Sequence, residues 1–163
     1  MKKLLVTSLA CTLAVAFSAS ALQKDITVTA AVDANLEMTL ADGSALPTTV
    51  AMQHMPGLGL SPHTLQTRLF SNAPESNVIV RLVASPELTA AESNASVPLS
   101  VTLGNKTLST SDTVFNTTDL YPGGDSSTGS MPLPLVISQA SSGSLTSGHY
   151  NGLVSMYMTL SAD

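Results

Sequence analysis

Residues 26–40 read ITVTAAVDANLEMTL, and apolar side chains occupy alternate positions along the whole stretch. Period-2 alternation places one set of side chains on each face of a β-strand, so the stretch predicts strand with one apolar face. Its length of about 50 Å, at 3.3 Å per residue, exceeds the usual strand length of about 17–20 Å. Asp33 and Asn35 mark the natural place to divide the stretch into two strands, which could then belong to different places in the structure.

The same alternation recurs between turn signals along the rest of the chain, which is the pattern of an all-β sandwich or barrel. A tight hairpin is predicted at Gly104-Asn105. The segment Ser85–Glu92 predicts either a short helix or a turn, because Pro86 suits a first helical position. The predicted strands are Ile26–Val32, Thr64–Ser71, Val78–Ala84, Val97–Leu103, Leu133–Ser138 and Leu153–Leu160.

The N-terminus has the layout of a cleavable secretory signal. Lys2 and Lys3 precede an apolar run over residues 4–17, and Ala19-Ser20-Ala21 offers small residues for cleavage between Ala21 and Leu22. The run is shorter than the roughly 20 residues that a membrane-spanning helix needs, so we expect no permanent anchor. Cleavage also removes Cys11, the single cysteine.

Charge and composition exclude several functional classes. Removal of residues 1–21 leaves 4 basic against 11 acidic residues, so the formal charge changes from −5 to −7. That balance disfavours nucleic acid as a partner. Without a cysteine the mature chain has neither disulfides nor thiolate metal sites. The histidines lack metal-ligand spacing and no serine-hydrolase elbow occurs, so we expect no cofactor, no metal and no enzyme activity.

The segment Ile26–Val32 has two interpretations on the residues alone. It is either the first strand of a self-contained sandwich, as most N-terminal strands are, or a strand meant for a partner's sheet. The final segment alternates as cleanly, with Val154, Met156, Met158 and Leu160 on one face. These two segments are the candidate interaction sites.

Six stretches, in order and spacing, resemble class 5 fimbrial major pilins, the colonisation-factor-antigen group assembled by the alternate chaperone–usher pathway. The resemblance spans the chain after residue 21 from end to end. The stretches are Leu22–Ala30, Ala41–Pro47, Val78–Leu82, Leu108–Thr110, Leu135–Ser138 and Gly148–Leu160.

The resemblance implies an incomplete immunoglobulin-like β-sandwich completed by donor-strand exchange. Residues 1–21 would be the signal peptide, residues 22–34 the N-terminal donor extension and residues 35–163 the incomplete pilin domain. The donor side chains implied are Ile26, Val28, Ala30 and Val32. The acceptor groove would be lined on the C-terminal strand by Val154, Met156, Met158 and Leu160.

The implied function is that of the major structural subunit of a fimbrium on the bacterial cell surface, exported through the periplasm and serving adhesion to host surfaces. The implied partners are identical subunits in a homopolymer, a periplasmic chaperone, an outer-membrane usher and a tip adhesin. The alternative is a minor or accessory fimbrial adhesin with a receptor-binding surface. A tip adhesin usually needs an additional lectin domain, for which 142 residues leave no room.

Overall fold

A computed structural model describes residues 36–161, and β-strands make up nearly all of the regular structure in that range. One turn of helix, α1 (Thr117–Leu120), lies between β9 and β10. The strands are β1 (Leu36–Leu40), β2 (His54–Met55), β3 (Gly59–Leu60), β4 (His63–Ser71), β5 (Val78–Leu82), β6 (Glu87–Ala90), β7 (Ser96–Leu103), β8 (Lys106–Thr107), β9 (Thr113–Phe115), β10 (Leu133–Gln139), β11 (Tyr150–Gly152) and β12 (Met156–Leu160).

The strands form two principal sheets. The longer sheet has the order β1-β4-β10-β7-β6-β11, with β8 added to β7, and the smaller has the order β12-β5-β9. Strands β2 and β3 make a separate hairpin. One buried cluster takes Leu69, Val101 and Leu135 from the longer sheet and Val78 and Val80 from the smaller. The two sheets are therefore the layers of a β-sandwich around one core.

Alternation decides which side chains reach that core. Along β7 the buried side chains are Val97, Leu99, Val101 and Leu103, and those between them are exposed or half-buried. The strand then turns back into β8 through Gly104-Asn105, with Gly104 at a φ of 58°. A positive φ at the first turn residue is what two-residue hairpins require, and the predicted hairpin is confirmed.

Four internal predicted strands correspond to β4, β5, β7 and β10, with ends that differ by one or two residues. The C-terminal part of the long N-terminal stretch forms β1, but the predicted division at residues 33–35 lies outside the described residues and stays a prediction. The other side of that division, including the predicted strand Ile26–Val32, lies outside the described residues.

The segment Ser85–Glu92 is neither the helix nor the simple turn that the sequence suggests. Residues Glu87–Ala90 form β6, which pairs with β7 on one side and β11 on the other. The Pro86 carbonyl accepts a hydrogen bond from the Leu99 amide at 2.9 Å, which starts the pairing one residue before the strand. Pairing on both edges outweighs a weak local helix preference.

A polar contact inside the sandwich replaces strand pairing where β10 leaves β4. Strand β10 pairs with residues 63–67 of β4, and beyond them Leu69 exchanges two bonds with Ser130. The Leu69 amide donates to Ser130 Oγ at 2.9 Å and the Ser130 amide donates to the Leu69 carbonyl at 2.7 Å. The Tyr121 hydroxyl donates to the same carbonyl at 3.2 Å, and burial raises the pKa of Tyr121. Both backbone groups of a fully buried residue are thus satisfied.

Candidate functional site

The last strand, β12, lies at the edge of the smaller sheet. It pairs with β5 in antiparallel register, with Met156 opposite Leu82 and Met158 opposite Val80. Among residues 36–161 no strand pairs with its other edge. An unpaired edge presents a row of free N–H and C=O groups to a further strand.

Burial changes sharply across this one pair of strands. On β5 the core-facing side chains Val80 and Leu82 are 0% and 3% exposed. Their cross-strand neighbours Met158 and Met156 pack on the same core yet are only half-buried. The core is therefore closed over β5 and incompletely covered over β12. We call Val154, Met156, Met158 and Leu160 the open strip.

The edge strand of the longer sheet lies beside the open strip. Strand β1 pairs with β4, and β1 and β12 are in contact across the two sheets. Met38 of β1 is buried at 7% exposure, whereas Leu36 is only partly buried against the core. The sandwich thus brings together two edge strands, one from each layer, where several side chains that pack on the core are only half-buried.

The four predicted acceptor residues occupy one face, as their parity predicts, and all four pack against the core. The predicted single strand Leu153–Leu160 is wrong in one respect, because the regular strand begins only at Met156. The Ser155 carbonyl accepts from the Val83 amide at 2.9 Å, while Gly152 still pairs with β6. The chain crosses between the two sheets there, so Val154 precedes the strand.

The role of these four residues as acceptors stays a prediction. The predicted donor side chains Ile26, Val28, Ala30 and Val32 lie outside the described residues, as does the predicted cleavage junction between Ala21 and Leu22.

The opposite face of β12 is polar and solvated. The Arg81 guanidinium lies 4.9 Å from the centre of the Tyr157 ring, its cross-strand neighbour. Arg81 Nε is also 3.6 Å from Asp112 Oδ1, and both side chains are substantially exposed. The Arg81 guanidinium thus contacts both the Tyr157 ring and the Asp112 carboxylate on this outer surface. The apolar side chains of β12 lie on the other face and pack against the core.

Sequence reasoning missed a second contact near the C-terminus, between His149 and Glu92. The Glu92 carboxylate accepts from the His149 amide at 2.9 Å and lies 2.6 Å from His149 Nδ1. These bonds, the amide first, lower the pKa of Glu92. No local spacing signals the pair, since 57 residues separate its members. It joins the start of β11 to the end of β6.

Within residues 36–161, no cluster of three metal-ligating side chains occurs. In the same range, no helix has the length and apolarity to cross a membrane. The most distinctive feature there is instead the open strip at a free strand edge.

The family model for the CS1 type fimbrial major subunit matches residues 22–159. The chain belongs to this family. It is 34% identical to a CS1 fimbrial subunit of Escherichia coli over 157 residues, covering 92% of each chain. It is 38% identical to a CFA/I fimbrial subunit of Escherichia coli over 155 residues, covering 91% of each chain.

A solved structure supports the same fold. The CooA pilin subunit from enterotoxigenic Escherichia coli superposes with a TM-score of 0.68 at 31% identity, over 78% of this chain and 88% of that one. The predicted class 5 fimbrial pilin and its immunoglobulin-like, all-β fold are confirmed. These CS1-family relatives are structural fimbrial subunits rather than enzymes.

Proposed function

We propose that this CS1-family subunit polymerises by donor-strand exchange into the shaft of a fimbrium. The observation that carries the proposal is the open strip at the free edge of β12, in a chain of a fimbrial major subunit family. In this proposal residues 35–163 form a pilin domain that lacks one strand, and residues 22–34 supply that strand to a neighbouring subunit.

The acceptor side follows from the edge geometry. A strand added along β12 pairs with its free N–H and C=O groups and covers Val154, Met156, Met158 and Leu160, which are only half-buried without it. Strand β1 of the other layer flanks the same gap. Addition of one strand would close the core and remove an edge that otherwise promotes aggregation.

The donor side rests on the alternation at residues 26–32. Ile26, Val28, Ala30 and Val32 share one face, so a single extended segment presents all four to the open strip. Burial of Ile26, Val28 and Val32 contributes about 5–9 kcal/mol before the cost of ordering the segment. Hydrogen bonds along the ladder add to this. Such a joint needs no disulfide, which suits a segment without cysteine.

Export and assembly complete the proposal. Residues 1–21 act as the signal peptide, and the family match begins at residue 22, where the predicted cleavage leaves the mature chain. A periplasmic chaperone then covers the open strip, and at the outer-membrane usher the donor segment of the next subunit replaces it. A tip adhesin precedes the shaft subunits on the cell surface, and the fibre serves adhesion to host surfaces.

The alternative, an accessory adhesin with its own receptor site, finds less support. The match to a major subunit family extends over residues 22–159, and the described residues hold no additional domain. Binding of glycans or host cells by purified polymer that lacks the tip protein would favour the alternative.

The deciding experiment compares two faces of the donor segment. Cells that carry the assembly machinery produce the chain with residues 22–33 deleted, with Val28→Asp, or with Thr29→Asp. We expect heat-labile, detergent-resistant ladders and visible fibres only from the parent and Thr29→Asp, because residue 29 faces away from the acceptor. Ladders that persist after the deletion would disprove the donor assignment.

A further inference from the structure

Three of the six methionines among residues 36–161 lie on the neighbouring edge strands β1 and β12. Met38 on β1 and Met156 and Met158 on β12 all belong to the core cluster or pack against it. Met156 and Met158 are half-buried within the open strip, whereas Met38 is 7% exposed. Of the other three described methionines, Met52 is half-buried against the core before β2, while Met55 on β2 and Met131 before β10 are 42% and 50% exposed. None of the three lies on either edge strand.

Methionine suits an acceptor surface because its unbranched thioether adapts to different apolar neighbours. The same thioether is the site of a two-electron oxidation. Peroxide transfers one oxygen atom to the sulfur, its O–O bond breaks and water leaves. The product is a sulfoxide, in which a polar oxygen is bonded to the sulfur of a formerly apolar side chain.

We propose that Met156 and Met158 form an oxidation-sensitive site that is reactive while the acceptor is empty and shielded once a strand occupies it. The proposal rests on the proposed donor-strand function. A sulfoxide oxygen on the open strip would lie beneath the incoming strand, whose backbone donors are engaged with the edge of β12. Burial of that acceptor without a partner disfavours insertion. Oxidised subunits are therefore excluded from the growing fibre, and subunits already within a fibre are protected.

The reactivity arm compares two states of the full mature chain. The Val28→Asp subunit, purified free of the chaperone, is expected to stay unassembled with its acceptor empty, whereas in parent fibres every acceptor along the shaft holds a donor strand. Both receive hydrogen peroxide, and mass spectrometry quantifies the sulfoxide at each methionine. We expect Met55 and Met131 to react in both states and Met156 and Met158 to react at least about tenfold more slowly in fibres. Equal rates at Met156 and Met158 in the two states would overturn the proposal.

The binding arm uses a synthetic peptide of residues 25–34 as the donor. Peroxide treatment of the Val28→Asp subunit is expected to weaken peptide binding about tenfold or more, the equivalent of one unsatisfied buried acceptor. Added Met156→Leu and Met158→Leu changes should abolish this sensitivity, whereas Met55→Leu and Met131→Leu should leave it unchanged. Methionine sulfoxide reductase should restore binding to the oxidised subunit.

The two proposals fail in different ways. Absence of peptide binding before oxidation would refute the donor-strand function and this inference with it. Equal peptide binding before and after complete oxidation of Met156 and Met158 would refute the inference alone. The Leu variants are expected to fold like the parent, since Leu and Met have similar volumes and this substitution is well tolerated in cores. A loss of oxidation sensitivity in these variants therefore reflects the missing thioethers.

Discussion

Strands β5 and β12 are neighbours in one sheet and carry similar alternating sequences, VIVRL and MYMTL, yet only on β5 are the core-facing side chains closed off from solvent. β5 is flanked by β12 and β9, while among residues 36–161 β12 pairs with β5 alone. On the core-facing side, the same apolar pattern therefore yields complete burial where a strand lies on each side and half-burial where the described residues supply a strand on one side. Position in the sheet, rather than hydrophobicity, distinguishes a core strand from a proposed acceptor strand.

The pair Leu82 and Met156, directly opposite each other, tests this difference most strongly. In the unassembled Val28→Asp subunit, Leu82→Ala should lower the free energy of unfolding by about 2–5 kcal/mol, because it opens a cavity in a closed core. Met156→Ala should lower it by less than about 1 kcal/mol, because that side chain is only half-buried. Urea denaturation measures both.

In assembled fibres, Leu82→Ala and Met156→Ala should destabilise the protein to a similar extent. If a donor strand covers Met156, the substitution Met156→Ala leaves a cavity there as well, and the melting temperature of the fibre should fall as it does for Leu82→Ala. A Met156→Ala fibre as stable as the parent would contradict the assignment of the open strip as acceptor.

The second test concerns β11, an edge strand that approaches its neighbour closely. Gly152 lies against the Glu87 carbonyl, and a Cβ at this position would also fall 2.9 Å from Leu88 Cδ2. Gly152→Ala should therefore lower the free energy of unfolding by about 1–3 kcal/mol through overpacking. Gly143→Ala is the matched control, since a Cβ there meets nothing within 4 Å. Equal thermal stability of the two variants would argue against a tightly packed β6–β11 pair.

The third test separates the two faces of β12. Tyr157→Ala removes the ring that contacts Arg81 on the outer face, and we expect a loss of about 0.5–1 kcal/mol in the unassembled subunit. Fibre formation should continue, because the substitution leaves the open strip intact. The measurement is the amount of detergent-resistant ladder formed by Tyr157→Ala and by Met158→Asp. Met158→Asp, which alters the inward face, should abolish the ladders, and Tyr157→Ala should not.

Local alternation predicted most of this architecture. The parity of Val154, Met156, Met158 and Leu160 correctly indicated a shared inward face, and alternation in the internal segments predicted β4, β5, β7 and β10 to within one or two residues at their ends. These features depend only on a two-residue period, which the sequence displays directly.

Features that depend on distant partners were not predictable in the same way. Strand β6 forms because β7 and β11 pair with it, although its local sequence suggests a helix or turn. Strand β12 begins only at Met156 because the chain crosses from one sheet to the other just before it. A two-residue alternation carries no signal for such a crossing. Likewise, the half-burial of β12 accompanies its place at the edge of the smaller sheet within residues 36–161, and that place is a property of the topology.

The smallest expected effect concerns the Glu92–His149 contact at the β6–β11 end of the longer sheet. Hydrogen bonds from His149 lower the pKa of Glu92 below its ordinary value of 4.5 in the folded chain. A carboxyl with a depressed folded pKa stabilises the fold above its unfolded pKa, and that contribution disappears as pH falls through the folded value. Glu92→Gln should therefore reduce stability slightly at pH 6–7 and have no effect once the pH is well below 4.5. Thermal unfolding of the two chains across this range measures the difference, with Glu37→Gln on β1 as a control for the loss of one charge. A difference that stays constant with pH would show that the carboxylate does not stabilise this edge through its charge.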